Sequence, residues 1–413
     1  MPVESLRCKE CGATYGLGPV FACESCFGPL EVKYDYSGLE VEETKRRIQA
    51  GPDGIWRYSD FLPFKERPTV RLEPGLTPLL RADRLAEELG LEAEIWVKNE
   101  TANPTHSFKD RVVAVAVAKA IDLDFEAVAC ASTGNLANSV AAHAAAAGLD
   151  SYVLVPSDLE EQKLLATAIY GTKLIGVNGN YDDVNRLCTE LAETRKKWAF
   201  LNVNLRPYYA EGSKTLAYET AEKLGWELPD RVVSPIASGS LFTKLGTGFQ
   251  EWIDLGLVEG QLPVFHGAQA LGCSPVATAF TEGWDICKPQ KPDTIAKSLA
   301  IGDPADGPYA LEQTRRTGGT IDSVTDEEIR AGIRLLAETT GIFTETAGGV
   351  TVGVLRKLAE RGEISSGERV VVYITGDGLK TLDAARDQFR MQTIDPDLDS
   401  FAAKFPQPQE VPA

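Results

Sequence analysis

Positive charge is what this chain is short of. Its 42 Lys and Arg stand against 60 Asp and Glu, a formal net charge of −18 over 413 residues. Neutralising nucleic-acid phosphates requires a basic surface, so nucleic acid is not expected as a partner. Long apolar runs are missing too. No stretch approaches the length of a membrane-spanning helix, and the opening Met-Pro-Val-Glu-Ser-Leu-Arg has no apolar signal core. A cytoplasmic protein with no membrane partner is the expectation. Neither a Walker A loop nor a Gly-x-Gly-x-x-Gly fingerprint occurs, which argues against an ATPase or a nicotinamide enzyme. No repeat of solenoid length is present. Histidine is scarce, with only His106, His143 and His266.

What remains is ordinary for a globular protein: 43% hydrophobic and 25% charged residues, in a chain long enough for two or three domains. The eight cysteines are spread unevenly. Cys8-Lys-Glu-Cys11 and Cys23-Glu-Ser-Cys26 form two knuckles with zinc-ribbon spacing, whereas Cys130, Cys188, Cys273 and Cys287 are scattered and read as small buried hydrophobes. Each short bite places two thiolates on one metal, and two knuckles close a tetrahedral site. Such a site has no open position, so a structural Zn²⁺ is expected, not a catalytic one. Disulfides are the weaker alternative in a cytosolic chain.

The pattern divides the chain into a four-cysteine ribbon (1–40), a charged connector (41–73), a core (74–395) with a smaller subdomain inserted at about 110–215, and a flexible tail (396–413). Within the core, strand-type runs at 95–98, 127–131, 152–155, 173–177, 231–236, 263–268 and 369–375 alternate with helical runs at 112–120, 136–147, 159–170, 181–197 and 212–224. Alternation of this length predicts an α/β fold with parallel sheets covered by helices on both faces. In such sheets ligands bind at the carboxyl ends of the strands. Four segments there carry chemistry.

Lys109, in Asn103-Pro104-Thr105-His106-Ser107-Phe108-Lys109-Asp110-Arg111, stands between a strand and an Ala/Val-rich helix. The positive end of the helix dipole disfavours an ammonium there and favours the neutral amine that a Schiff base with an aldehyde requires. An exposed cap lysine is the plainer alternative. Ser132-Thr133-Gly134-Asn135 precedes a helix and suits a carboxylate, with Ser132 and Thr133 as donors, although Ser, Thr and Asn are also ordinary N-caps. Ala237-Ser238-Gly239-Ser240-Leu241 lets backbone approach a phosphate at a helix N-terminus, or is simply a tight turn. Thr375, in Thr375-Gly376-Asp377-Gly378, ends a buried-type strand, where its hydroxyl can meet a ring nitrogen; turn chemistry accounts for the glycines equally well.

Taken together, the Lys109 string, the cysteine ribbon, Gly75-Leu76-Thr77-Pro78, the run from Asn204-Leu205-Arg206-Pro207 to Glu211-Gly212-Ser213-Lys214-Thr215, and Thr375-Gly-Asp-Gly-Leu-Lys380 resemble the threonine synthase group of fold-type II pyridoxal-phosphate enzymes. The likeness extends over nearly the whole chain. It implies a two-domain architecture, commonly dimeric, with pyridoxal 5′-phosphate as cofactor. It implies Lys109 as the Schiff-base lysine and general base, Asn135 near the 3′-oxygen, residues 237 to 241 around the phosphate, and Thr375 at the pyridine nitrogen. The implied reaction turns O-phospho-L-homoserine and water into L-threonine and phosphate.

Two departures stand out. The usual Gly-Asn-x-Gly-Asn phosphate loop is replaced by residues 237 to 241, and His106 stands where glycine is common, as a loop-packing residue or a phosphate contact. His143 reads as a core or interface residue and His266, ending a strand, as a cap or packing residue. Lys163, Asn204, Arg206 and Lys214 are candidates for an anionic, phosphate-bearing amino-acid substrate or else surface charge, because a phosphomonoester needs clustered donors. Glu345 is expected to order the loop facing the ring. The same scaffold serves serine/threonine dehydratases and a cysteate synthase; a zinc-dependent scaffold protein with a dead core is the reading from a different class.

Overall fold

The computed structural model describes residues 2–69, 72–157, 161–179, 181–386 and 389–406, with the side chains of 161–163, 181 and 182 outside that description. Three sheets organise the described residues. The largest runs Ile321–Val324, Val264–Ala270, Arg231–Pro235, Arg369–Ile374, Glu94–Asn99 and Leu79–Arg81 from edge to edge. All neighbours are parallel except the last pair. Strands of the type Val370-Val371-Val372-Tyr373-Ile374, apolar without alternation, demand cover on both faces. They receive it. The helices Asp326–Thr340 and Thr346–Glu360 pack one face, with Ile329, Ile333, Leu336 and Val350 buried there. Lys214–Lys223 and Ser240–Asp254 pack the other, with Leu216, Tyr218, Phe242 and Trp252.

The second sheet is wholly parallel, in the order Lys173–Val177, Asp150–Pro156, Ala127–Ala131, Trp198–Phe200. Helices Lys109–Asp122 and Asn135–Ala147 cover one face and Tyr181–Thr194 the other. The expected helices therefore begin earlier than periodicity suggested, because Lys109 and Asn135 are themselves first-turn residues. The expected helix 212–224 is Lys214–Lys223, and a separate short helix, Arg206–Glu211, precedes it. Between them Gly212 meets the Lys109 helix so closely that a Cβ would stand 2.5 Å from the Arg111 carbonyl oxygen. A side chain there would push the two helices apart.

Residues 41–73, expected as a connector, contribute to the core instead. After helix Val41–Gln49, the turn Ile55–Phe61 buries Ile55, Trp56, Tyr58 and Phe61. Tyr58 and Phe61 pack against Tyr218 and Trp252. The segment after Pro396, expected as a tail, carries the helix Leu398–Lys404. His266 lies inside a strand, accepting from Arg231 Nη1 at 3.1 Å; its Nδ1 is 3.0 Å from Thr320 Oγ1. Burial, then the Arg231 charge, lowers its pKa to about 4. It is a neutral core residue.

The third sheet is the ribbon: Val3–Cys8 pairs antiparallel with Thr14–Tyr15 and Leu30–Tyr34. Its Val3, Leu6, Leu30 and Val32 join one core cluster with Val112, Val113, Ala116 and Val117 of the Lys109 helix. Cys8, Cys11, Cys23 and Cys26 converge, with all four sulfurs within 4.8 Å of one another and Cys8–Cys26 and Cys11–Cys23 each at 3.5 Å. Tetrahedral Zn–S bonds of about 2.3 Å place sulfurs about 3.8 Å apart, so the cluster has the size of one ion.

Candidate active site

The strands Arg231–Pro235 and Arg369–Ile374 run parallel and in register, so the loops after them leave the same edge of the sheet. Lys109 is fastened to one of these loops by backbone. Phe108 N donates to the Thr375 carbonyl at 2.9 Å, Asp377 N to the His106 carbonyl at 3.1 Å, and Ser107 bridges Gly376. His106 itself has φ +62, a left-handed backbone that glycine adopts without strain, and its ring is exposed with Nδ1 3.3 Å from the Thr101 carbonyl. The backbone thus explains a glycine preference at this position without a ligand. Ser107 Oγ is buried and has no hydrogen-bond partner.

Lys109 Nζ is half-buried and donates to Tyr209 Oη at 3.1 Å. The next residue, Asp110, is fixed by four neighbours: Thr105 N (2.6 Å), Thr105 Oγ1 (2.7 Å), Ser139 Oγ (2.6 Å) and, at 3.3 Å, His143 Nε2. Burial would raise the Asp110 carboxyl, but His143 and the two hydroxyls outweigh it and hold the pKa below the usual range. His143 is therefore a buried residue that steadies the Lys109 loop.

Glu345 and Lys380 complete the cluster. The Asn135 amide donates to Glu345 Oε1 at 3.0 Å and Oε2 at 2.9 Å, while its Oδ1 accepts from Lys380 Nζ at 2.7 Å. Lys380 also donates to the Thr105 carbonyl at 2.5 Å. The Glu345 loop is held through Glu345 N and Thr344 Oγ1, both 3.0 Å from the Gly376 carbonyl. Burial lifts the Glu345 carboxyl above its ordinary pKa, against the pull of Asn135, Lys380 and Lys109. Burial likewise lowers Lys380, against Glu345, Asp110 and Asp377. Asn135, Glu345 and Lys380 are therefore one hydrogen-bonded cluster, tied through the Thr105 carbonyl and the Phe108–Thr375 backbone bond to the loop that carries Lys109.

Gly239, at φ +97, turns the chain into helix Ser240–Asp254, which has no side-chain cap. Ser240 N donates weakly to Ser238 Oγ at 3.5 Å, and the hydroxyl protons of Ser238 and Ser240 can donate to an anion at this helix start. Ala237 and Leu241 offer backbone only. Asp306 closes the back of this loop: its N donates to the Ser238 carbonyl at 2.8 Å, and a Cβ on Gly239 would meet its carbonyl at 2.7 Å. Ser132 and Thr133 lie ahead of helix Asn135–Ala147, likewise without a side-chain cap.

The remaining candidates are placed elsewhere. Arg206 pairs with Asp306 at 2.9 Å, beside the 237–241 loop. Asn204 donates to the Trp198 carbonyl at 3.1 Å and is buried, with Oδ1 unpartnered. Lys214 is buried between Glu211 (2.7 Å) and Glu251 (3.1 Å), so it is not free for substrate. Lys163 lies in helix Glu161–Ala168, but its side chain is outside the described residues.

Behind Lys109 lies a feature that sequence reasoning missed. Arg111, Lys98, Glu100 and Glu219 are all buried and ion-paired: Arg111 with Glu100 at 2.6 Å and Glu219 at 2.8 Å, Lys98 with Glu219 at 2.5 Å. Glu100 also accepts from Asn103 Nδ2 at the start of the Lys109 loop, and Glu219 from Leu76 N in the separate Gly75–Pro78 segment. The only sequence signal was charged residues inside runs otherwise apolar.

An amine anchored at the sheet edge, an anion cradle at one helix N-terminus, a second at another, and a hydroxyl at a strand end are the contacts pyridoxal phosphate needs. The unpartnered Ser107 Oγ and the uncapped helix Ser240–Asp254 leave donors to spare for it. The comparisons agree. The family described as pyridoxal-phosphate dependent enzyme matches residues 70–376. A threonine synthase of Methanocaldococcus jannaschii is 41% identical over 92% of this chain and 93% of its own length. One from Methanosarcina acetivorans is 39% identical over 91% and 92%. Among solved structures, the processed threonine deaminase isoform 2 of Solanum lycopersicum superposes with a TM-score of 0.64 at 20% identity, covering 94% of this chain and 92% of that one. That likeness shows the shared fold. The chain belongs to the pyridoxal-phosphate-dependent enzymes, in their threonine synthase group.

Proposed function

We propose that this protein converts O-phospho-L-homoserine and water to L-threonine and phosphate, using pyridoxal 5′-phosphate held at this site. The observation that supports the reading most is the bonding of the Lys109 loop to the Thr375 loop, beside the Asn135–Glu345 pair, in a chain 41% identical to a threonine synthase. Bound there, the cofactor supplies an electron sink that makes protons next to the amino-acid nitrogen removable. Lys109 would hold it through Nζ, and its free amine would serve as the base for the Cα proton. Ser238, Gly239, Ser240 and the backbone of Ala237 and Leu241 receive the cofactor phosphate. Thr375 offers the ring nitrogen a neutral hydroxyl, and Asn135, clamped by Glu345 and Lys380, presents a fixed amide. Ser132 and Thr133 take the substrate carboxylate. Arg206, Asn204 and Lys163 are retained as candidates for the substrate phosphate, with Arg206 favoured by its place beside the 237–241 loop.

Assaying phosphate release from phosphohomoserine against phosphoserine plus sulfite tests the reading. Threonine and phosphate are expected from the first alone; turnover of the second alone would assign a cysteate synthase. The four-cysteine cluster is proposed to hold one structural Zn²⁺, supported by its dimensions. Metal analysis is expected to find one zinc per chain. Its removal by a chelator is expected to lower the melting temperature, because the ribbon packs on the Lys109 helix. A melting curve indifferent to zinc would contradict this.

A cytoplasmic homodimer belongs to the same proposal. Exposed Leu379 and Leu382 beside Lys380 support the dimer, and a monomeric mass in sedimentation equilibrium would count against it.

A further inference from the structure

We propose that Tyr209 is the positioning residue that holds the Lys109 amine whenever it is free, and so sets how fast that amine can react. The inference rests on the function proposed above for Lys109. Three observations support it. Tyr209 Oη is 3.1 Å from Lys109 Nζ, and no other hydrogen bond from that amine is found among the described residues. The phenol ring is only 7% exposed and packs in the cluster shared by the ribbon and the Lys109 helix, so the hydroxyl cannot swing away. The short helix that carries it, Arg206–Glu211, is pinned at its far end: Glu211 accepts from Tyr34 at 2.7 Å and pairs with Lys214 at 2.7 Å and Lys244 at 2.6 Å.

The chemistry of the pair suits a lysine that must gain and lose protons. A carboxylate at this position would favour only the ammonium form. A phenol accepts from an ammonium and donates to a neutral amine, so it holds Nζ in place in either state. A base must sit within hydrogen-bond reach of the proton it takes, and a flexible four-carbon stem does not guarantee that by itself. Tyr209 restricts that stem without consuming the charge. Its neighbour Tyr208 provides a built-in comparison. Tyr208 is buried still more deeply, but its hydroxyl donates to the Gly18 carbonyl in the ribbon at 3.0 Å and not to Lys109.

The test uses Tyr209→Phe and Tyr208→Phe, each of which removes one buried hydroxyl and keeps the ring. The first measurement is the rate at which apoprotein forms its coloured adduct with added pyridoxal phosphate, a readout independent of turnover. The second is kcat against KM for phosphate release from phosphohomoserine. Tyr209→Phe is expected to slow adduct formation about tenfold and to lower kcat about 10²-fold, the lower end of what a positioned acid–base group contributes, with KM little changed. Tyr208→Phe is expected to match wild type in both. Equal losses in the two variants, or none in Tyr209→Phe, would overturn the inference. A wild-type enzyme that releases no phosphate would instead refute the proposed function, so the two failures are distinct.

Discussion

Lys109→Ala is expected to lower phosphate release from phosphohomoserine by at least about 10⁴-fold, because it removes both the covalent attachment and the general base in one change. The protein is also expected to stay colourless when pyridoxal phosphate is added. Among the described residues, no second free amine stands beside Lys109 to substitute. Lys380 is close, but its Nζ is committed to the Thr105 carbonyl and to Asn135 Oδ1. The fold should survive, since Lys109 is half-buried and its one hydrogen bond among the described residues is to a neutral hydroxyl. The check is phosphate release alongside a thermal melt. A variant that melts like wild type and keeps more than about one-hundredth of its rate would remove Lys109 from the mechanism.

Arg111→Met is the substitution expected to cost most in stability. It keeps the bulk of the side chain but leaves Glu100 and Glu219 with Lys98 as their only buried cation. Removing one partner from a buried ion pair destabilises by about 3–5 kcal/mol, chiefly through the desolvated charge left behind. Cofactor affinity should fall as well, because this cluster holds the loop from Asn99 to Lys109. Acid should act on the same cluster. Burial would raise the Glu219 carboxyl, but Arg111 and then Lys98 outweigh it and hold its pKa at about 2, against an ordinary 4.5. Its contribution to stability is therefore complete above about pH 4.5 and is lost as the pH falls towards 2, where the folded state must also take up the proton. Denaturant midpoints measured across that range should drop steeply for wild type. Arg111→Met should start lower and show a shallower decline.

Much of the fold was legible because burial imposes a period. The strands Ala127–Ala131 and Lys173–Val177 occur where continuous apolar runs predicted them, and others differ by one or two residues at their ends. The Lys109, Asn135 and Thr375 loops were legible for a related reason: strand-to-helix turns need Gly, Ser, Thr and Asn, and such turns at strand ends are where ligands bind. What was not legible is pairing over distance. Tyr209 lies 100 residues from Lys109, and Lys380 lies 245 from Asn135. Neither contact leaves a local pattern. The segment 41–73 was misjudged because its charged first helix hides the buried turn that follows, with Trp56, Tyr58 and Phe61. Lys214 stood as a candidate substrate contact or surface charge because a lysine at a helix start resembles a phosphate ligand. Glu211 and Glu251, three residues before it and far after it, claim it instead.

The central claim is that Lys109 Nζ carries the cofactor. Reduction of the pyridoxal-phosphate-loaded protein with borohydride, followed by peptide mass mapping, tests it without reference to turnover. The expected result is one phosphopyridoxyl group per chain, on the peptide containing Ser107-Phe108-Lys109. A label on Lys380 or on any other lysine, with Lys109 unmodified, would contradict the account.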